Sequence, residues 1–302
     1  MLRRAFGGAV PVAFERTAAG VSTLVYRIRR GTGTFYLRLA EEASENLETD
    51  AALYQRLHDL GVKIARVLHV EAFSSEVGRS VMITTETPGQ ALTEITSLEV
   101  GLAVIEEAGA DLARINQVAV DGFGWVKRHD GRWPMAAVQA TYAAFAASEL
   151  PDPWPGRLGS LFDTRALASL ERLIDDERRR PLSQARLAHG DFDVTPIFCA
   201  DGRYTGIIDF GEIRGTEPMF DLGHFLLHAR KPWPAALLPA LVRGYQRVTP
   251  LESGYEEAML RSGVLLGLRQ LCRWLSPERG FPLDDPAVTR RVARVRDLLR
   301  RV

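Results

Sequence analysis

Apolar and polar positions alternate in short runs through roughly the first ninety residues. "STLVYRIRR" and "GTFYLRLA", separated by "GTG", predict two strands of a hairpin. The period then changes. Leu47, Ala51, Tyr54, Leu57 and Leu60 recur at helical spacing in "ENLETDAALYQRLHDLG", and Gly61 follows as a stop. "ARVLHVEAF" and "RSVMITTE" read as two more strands about the turn-like "SSEVG", and "TPG" breaks the second of them.

From Ala91 onward the spacing is mostly helical. "LEVGLAVIEEAGADLARINQV", "MAAVQATYAAFAASEL", "RALASLERLIDDERRR", "LGHFLLHAR", "WPAALLPALVRGYQRV" and "GYEEAMLRSGVLLGLRQLCRWL" all suit amphipathic helices. One pair of short strands, "PIFC" and "YTGIIDF", interrupts them around the turn "ADGR". The pattern predicts an α+β chain of two lobes: residues 1–87 with a small antiparallel sheet and one helix, and residues 88–302 mainly helical around a central hairpin.

Composition narrows the function classes. Of 302 residues, 38 are basic and 38 acidic, which excludes a nucleic-acid binder held by a strongly basic face. The basic C-terminal segment "TRRVARVRDLLRR" places Arg290, Arg291, Arg294, Arg300 and Arg301 around apolar Val292, Val295, Leu298 and Leu299, which reads as a solvated helix face. Cys199 and Cys272, the only cysteines, offer neither a disulfide framework nor a zinc cluster and read as buried small apolar residues. No run reaches 18 apolar residues, and Gly7, Gly8 and Pro11 break the N-terminal apolar stretch, so neither a membrane span nor a signal peptide is expected. The reducing cytoplasm is the expected location. Oligomeric state is left open by the sequence.

The segment "LAHGDFDVTPIFCADGRYTGIIDFGE", Leu187 to Glu212, carries the candidate chemistry. Phosphoryl transfer needs a base near the acceptor hydroxyl, carboxylates for magnesium and a cation on the phosphates. Asp191 in "HGD" is the candidate catalytic base, and Asp209 in "IDFGE" the candidate metal ligand. A hairpin between them has the length to fold one back beside the other, and "DLG" follows at Asp221.

With these motifs, residues 187 to 223 resemble the catalytic segment of the aminoglycoside phosphotransferase family, a branch of the protein-kinase-like fold. The likeness extends over roughly residues 20 to 230 through "FYLRLA", "LHDLGVKIARVL", "ITTETPG" and "ADLARINQVAVDGFGWV". It implies a bilobal enzyme that uses ATP and Mg2+ to phosphorylate a hydroxyl of a small molecule. It further implies Arg38 on the nucleotide phosphates, with Asp50 as its acidic partner and Glu48 as the fallback. Ser22 falls in the phosphate-loop position, though that stretch lacks a Gly-x-Gly-x-x-Gly and also suits a plain turn. The backbones of Thr85, Glu86 and Thr87 would meet the adenine. His189 and Asp221 would support the catalytic loop.

One position departs from the pattern. Pro196 stands where the resemblance expects a metal-binding Asn, which leaves Asp193 as the nearest acidic substitute. His224 and His228, one helical turn apart, have no third ligand and read as a helix face. Three readings remain open at this level. One is an antibiotic-resistance kinase whose polycationic aminoglycoside meets Glu256, Glu257, Asp284 and Asp285. Another is a kinase of a metabolite alcohol with Trp274 or Trp233 as an apolar wall. The third is a nucleotide-binding pseudokinase.

Overall fold

The computed structural model describes residues 2–8, 13–17, 24–42, 44–128, 133–150, 154–228 and 234–302. A short helix α1, Leu2–Ala5, precedes five strands: β1 Ala13–Arg16, β2 Leu24–Arg30, β3 Gly33–Leu39, β4 Val67–Ser74 and β5 Arg79–Thr85. Helix α2, Glu48–Asp59, lies between β3 and β4 in the chain. The strands form one antiparallel sheet in the order β1-β2-β3-β5-β4. Period-2 alternation puts Ile28, Leu37, Leu39, Val81 and Ile83 into one small core, which Phe6 closes. Leu53, Tyr54 and Leu57 of α2 instead join the large core of the rest of the chain. Helix α2 therefore couples the sheet to the helical lobe, and Tyr54 meets Phe210 edge-on at 5.5 Å.

After the connector come strand β6, Gln90–Ala91, and helix α3, Leu98–Ile115. Ser97 caps α3 by accepting from the Val100 N–H. Short strands β7, Ala119–Val120, β8, Phe123–Val126, and β9, Ala137–Gln139, follow, then helices α4, Tyr142–Glu149, α5, Trp154–Leu158, and α6, Thr164–Arg179. The catalytic-segment strands are β10, Ala185–Ala188, β11, Ile197–Ala200, β12, Arg203–Ile207, and β13, Arg214–Thr216. Helices α7, Phe220–His228, α8, Pro234–Gln246, α9, Tyr255–Trp274, and α10, Pro286–Leu299, complete the chain.

The hairpin β11–β12 forms as expected and recruits β6 as a third strand. Its far side is fastened by the Tyr204 hydroxyl donating to Asp111 Oδ2 at 2.9 Å and the Thr205 hydroxyl donating to the Pro88 carbonyl at 2.6 Å. The catalytic segment is thus tied both to α3 and to the connector. Helices α3 and α8 touch backbone to backbone: a Cβ on Gly244 would stand 1.8 Å from the Glu106 carbonyl oxygen, so the contact requires glycine.

Three sequence expectations change. A second five-stranded sheet, β7-β10-β13-β8-β9, runs through the helical lobe. "MAAVQATYAAFAASEL" is not one helix: residues 137–139 pair with β8, and α4 begins only after Thr141, whose hydroxyl accepts from the Ala144 N–H. The C-terminal arginines are not all solvated, because Arg291 is buried against Trp274 and Arg294 donates to the Leu226 carbonyl. No helix among the described residues is long and apolar enough to cross a membrane.

Candidate active site

The loop carrying Asp191 is built by its neighbours. Gly190 has φ +89°, and a Cβ there would lie 1.8 Å from the Glu212 carbonyl oxygen, so the loop passes the turn that follows Asp209 only as glycine. The fully buried Asp221 carboxylate accepts from the N–H groups of His189 and Gly190, both at 2.9 Å, and from the Asn116 amide at 3.0 Å. Three donors on one buried carboxylate satisfy its charge and lock the loop from below. His189 Nε2 donates to the Ile208 carbonyl at 2.9 Å, and its ring lies between Phe192 and Phe210.

Asp191 emerges from this frame with its side chain 59% exposed. Its Oδ1 stands 3.3 Å from Nε2 of the buried His224. The other ring nitrogen of His224, Nδ1, faces the Phe192 carbonyl at 3.1 Å. Both ring nitrogens meet acceptors, so only the imidazolium serves both at once. Burial opposes that charge and holds the ring below the ordinary histidine range, although Asp191, Asp193 and Asp221 pull the other way. The residue first read as part of a plain helix face is a buried contact of the candidate base.

Asp209 follows β12 with a left-handed backbone, φ +65°, uncommon outside glycine and the short polar residues. Its carboxylate is within electrostatic range of Arg38. Burial would lower the Arg38 guanidinium, but the Tyr54 hydroxyl, to which it is hydrogen-bonded, Asp50 and Asp209 outweigh it and raise it. Burial pushes the Tyr54 phenol up as well.

The expected Arg38–Asp50 ion pair is replaced by a different one. Asp50, fully buried on α2, lies 3.6 Å from Arg128 Nε, and Arg128 Nη2 also donates to the carbonyls of Phe210 at 2.8 Å and Gly211 at 2.9 Å. Asp50 acts on Arg38 only through space, while Arg128 comes within ion-pair distance of it. Glu48 is excluded as the fallback, since it is exposed and accepts from the Asn46 amide at 3.1 Å. Arg128 bridges α2 and the turn after Asp209, a role the sequence alone gave no reason to assign.

Asp193 lies two residues past Asp191, and its Oδ1 accepts from the Thr195 N–H at 2.7 Å, leaving Oδ2 uncommitted by that turn. Pro196 is buried just before β11, and its carbonyl accepts from the Ile208 N–H at 2.9 Å. In the connector, Thr85 spends its N–H on the Arg66 carbonyl and accepts from the Arg66 N–H with its hydroxyl, both at 2.9 Å. Glu86 accepts from the Tyr36 hydroxyl at 3.3 Å, and Thr87 is buried. Ser22 lies outside the described residues, as does Trp233.

A cavity of about 640 Å³ opens over Asp191 and His224 and is walled by Trp125, Glu149, Glu212, Arg214, Arg269 and Arg273. A smaller recess of about 270 Å³, lined by Arg38, Arg128 and Gly211, shares Trp125 and Glu212 with it. Burial raises the Glu212 carboxyl and the negative charges of Asp191 and Asp209 raise it further, against the opposing pull of Arg214 and Arg273. Trp125 lines the cavity over Asp191, and Trp274 does not. Trp274 is instead stacked on Phe281, at 5.9 Å between ring centroids. Among the described residues no group of three or more His, Cys, Asp or Glu side chains converges as a ready-made metal site.

A model of the phosphotransferase enzyme family matches residues 13–260. Among solved structures, a thermostable mutant of aminoglycoside phosphotransferase APH(4)-Ia superposes with a TM-score of 0.68 at 20% identity, covering 99% of this chain and 97% of that one. Amicoumacin kinase hAmiN, in complex with AMP-PNP, Ca2+ and Ami, superposes with a TM-score of 0.62 at 15% identity, covering 97% and 90%. These likenesses establish the protein-kinase-like fold. No curated protein matches the chain at a significant level.

Proposed function

The chain belongs to the phosphotransferase enzyme family, and from that premise we propose that it transfers the γ-phosphate of ATP to a hydroxyl of a small molecule, with Asp191 taking the hydroxyl proton. The acceptor oxygen forms the new P–O bond as the bond to the β-phosphate oxygen breaks and ADP leaves. The observation that carries this reading is the exposed Asp191 carboxylate at the base of the 640 Å³ cavity, on a loop fixed by Asp221 and backed by His224. Preorganised placement of a base and cations is most of what this chemistry asks of a protein.

ATP would lie in the cleft between residues 1–87 and 88–302. Arg38 would hold its phosphates, since a guanidinium offers several donors to phosphate oxygens. Glu86 and Thr87 are better placed than Thr85 to meet adenine with their backbone groups, because the Thr85 N–H is already bonded to Arg66. Mg2+, when bound, neutralises phosphate charge. Asp209 and Asp193 fit it, because this ion is ordinarily held by one or two carboxylates completed by phosphates and water rather than by an all-protein cage. His224 positions the Asp191 carboxylate, and Arg128 holds the turn that presents Asp209.

A metabolite alcohol is favoured over an aminoglycoside. Glu256 and Glu257 stand in the first turn of α9, roughly 25 Å along the axis from Arg273 on the cavity wall, at 1.5 Å rise per residue. Asp285 accepts from the Ala287 N–H as the cap of α10, and Asp284 is exposed in the preceding loop. None of these four acids lines the cavity over Asp191. The test is acceptor-dependent ADP formation from Mg·ATP across a panel of alcohols, with Asp191→Asn as the blank. An Asp191→Asn protein as fast as the wild type would end the assignment.

A further inference from the structure

The charges on the cavity wall identify the acceptor more closely, provided the kinase reading holds. Glu212 is neutralised by Arg214, Nη2 to Oε2 at 2.9 Å, and that guanidinium is pinned between the Trp125 and Phe220 rings at 4.3 and 5.1 Å. Glu149 is met by Arg269, Nε to Oε2 at 3.5 Å, and the Arg269 guanidinium lies over the Phe145 ring at 4.8 Å. Both arginine side chains are nine-tenths buried, 9% and 10% exposed, so these pairs belong to the wall itself. The Arg269 Nε, although buried, has no hydrogen-bond partner among the described residues.

Arg273 is left over. It lies one helical turn beyond Arg269 on the same face of α9, lines the cavity, and makes no hydrogen bond or ion pair among the described residues. It acts on Glu212 only through space. Setting aside Asp191, which faces the reacting hydroxyl, the wall carries one more positive charge than negative. A polycation entering this space would meet carboxylates already answered by arginines. A compound with one anionic group would complete the pairing, and a guanidinium suits a carboxylate or a phosphate through paired N–H donors.

We propose that the phosphate acceptor is a hydroxy compound bearing a carboxylate or phosphate group, which Arg273 binds with Arg269 behind it while the hydroxyl lies against Asp191. The cavity volume is in the range of small-molecule sites.

Four six-carbon polyhydroxy compounds of different charge test this: gluconate, glucose 6-phosphate, glucose and glucosamine. Each is supplied with Mg·ATP at matched ionic strength, and phosphate transfer is read above the Asp191→Asn blank. In parallel, the melting temperature is read with each compound and Mg·AMP-PNP. The expected result is about tenfold or greater preference for an anionic member over glucose, the scale of one charge-assisted hydrogen bond, with glucosamine poorest. Gluconate against glucose 6-phosphate decides which anion is taken. Arg273→Gln brings the anionic-to-neutral ratio toward one, Arg273→Lys restores part of it, and Arg290→Gln, an exposed charge on α10 outside the site, leaves it intact.

Preference for glucosamine, indifference among the four, or a ratio that survives Arg273→Gln overturns the proposal. Indifference would mean that Arg273 merely answers the negative C-terminal end of α9. If none of the four takes phosphate, the melting-temperature ranking decides alone: an anion-specific, Arg273-dependent rise supports the anionic site, and its absence overturns it. The kinase reading fails separately, when no alcohol of any charge draws phosphate from ATP.

Discussion

His224 Nε2 contacts Asp191 Oδ1 at 3.3 Å while His224 Nδ1 faces the carbonyl of Phe192, the residue next to Asp191, at 3.1 Å. The candidate base and its own backbone are thereby gripped by one buried ring, and the exposed carboxylate has a fixed side from which to receive a hydroxyl. A base misplaced by even an ångström loses much of its effect.

His224→Phe is therefore expected to lower turnover by roughly tenfold to a hundredfold, with the apparent affinity for ATP little changed. His224→Gln, whose amide reaches the place of Nε2, should retain more activity than His224→Phe. Steady-state kinetics on both variants check this split. Equal losses in the two, accompanied by a raised KM for ATP, would make His224 a packing residue only.

The same ring predicts an acid-sensitive fold. Asp191, Asp193 and Asp221 face it and His228 lies against it, with ring centroids 4.0 Å apart, yet burial keeps its pKa below the ordinary value near 6.5. The unfolded chain then binds a proton that the folded chain refuses. Stability is full above about pH 6.5 and falls as pH drops through that value toward the lower folded pKa. Urea unfolding at pH 7.5 and pH 5.5 should show a smaller loss in His224→Phe than in the wild type. An identical loss would place the acid sensitivity elsewhere.

Arg128 is expected to matter more to stability than its loop position suggests. Arg128→Ala strips the fully buried Asp50 carboxylate of its ion pair and frees the carbonyls of Phe210 and Gly211. Leaving a buried charge uncompensated costs on the order of 3 kcal/mol. Arg128→Ala combined with Asp50→Asn should recover part of that loss, since the orphaned charge is gone. A double variant no more stable than Arg128→Ala would deny the pair, and equilibrium denaturation measures it.

Much of this site was legible because its signals are local. "HGD", the hairpin and "IDFGE" lie within 24 residues, and loop, turn and strand each follow from residue type. The N-terminal sheet was legible for the same reason, as β2, β3 and β5 are runs of seven residues bounded by turn or breaker segments, long enough to register as strands. The second sheet was not, because β7 has two residues and β13 three, too short for a period to register. Residues 137–139 sit in an alanine-rich stretch that suits a helix until β8 claims them as an edge. His224, Arg128 and Arg273 acquire meaning only through partners or cavities assembled from distant segments. Arg128, for example, acts on carbonyls more than 80 residues away.

Pro196 supplies the last prediction. Its ring offers no oxygen to a metal, and its buried place before β11 is secured through its carbonyl on the Ile208 N–H, a bond that an asparagine keeps. Asp193 is the acidic group that remains nearby in the chain, with Oδ1 engaged by the Thr195 N–H and Oδ2 available. Pro196→Asn is therefore expected to raise the rate of phosphate transfer and to lower the Mg2+ concentration needed for half of it. Asp193→Asn, which keeps the turn to Thr195 but removes the charge, should slow the wild type more than it slows the Pro196→Asn protein, because the added amide oxygen relieves the burden on Asp193. Mg2+ titrations of phosphate transfer on the four proteins give the coupling directly. Strictly additive effects would remove Asp193 from the metal site and leave Asp209 as its one carboxylate ligand.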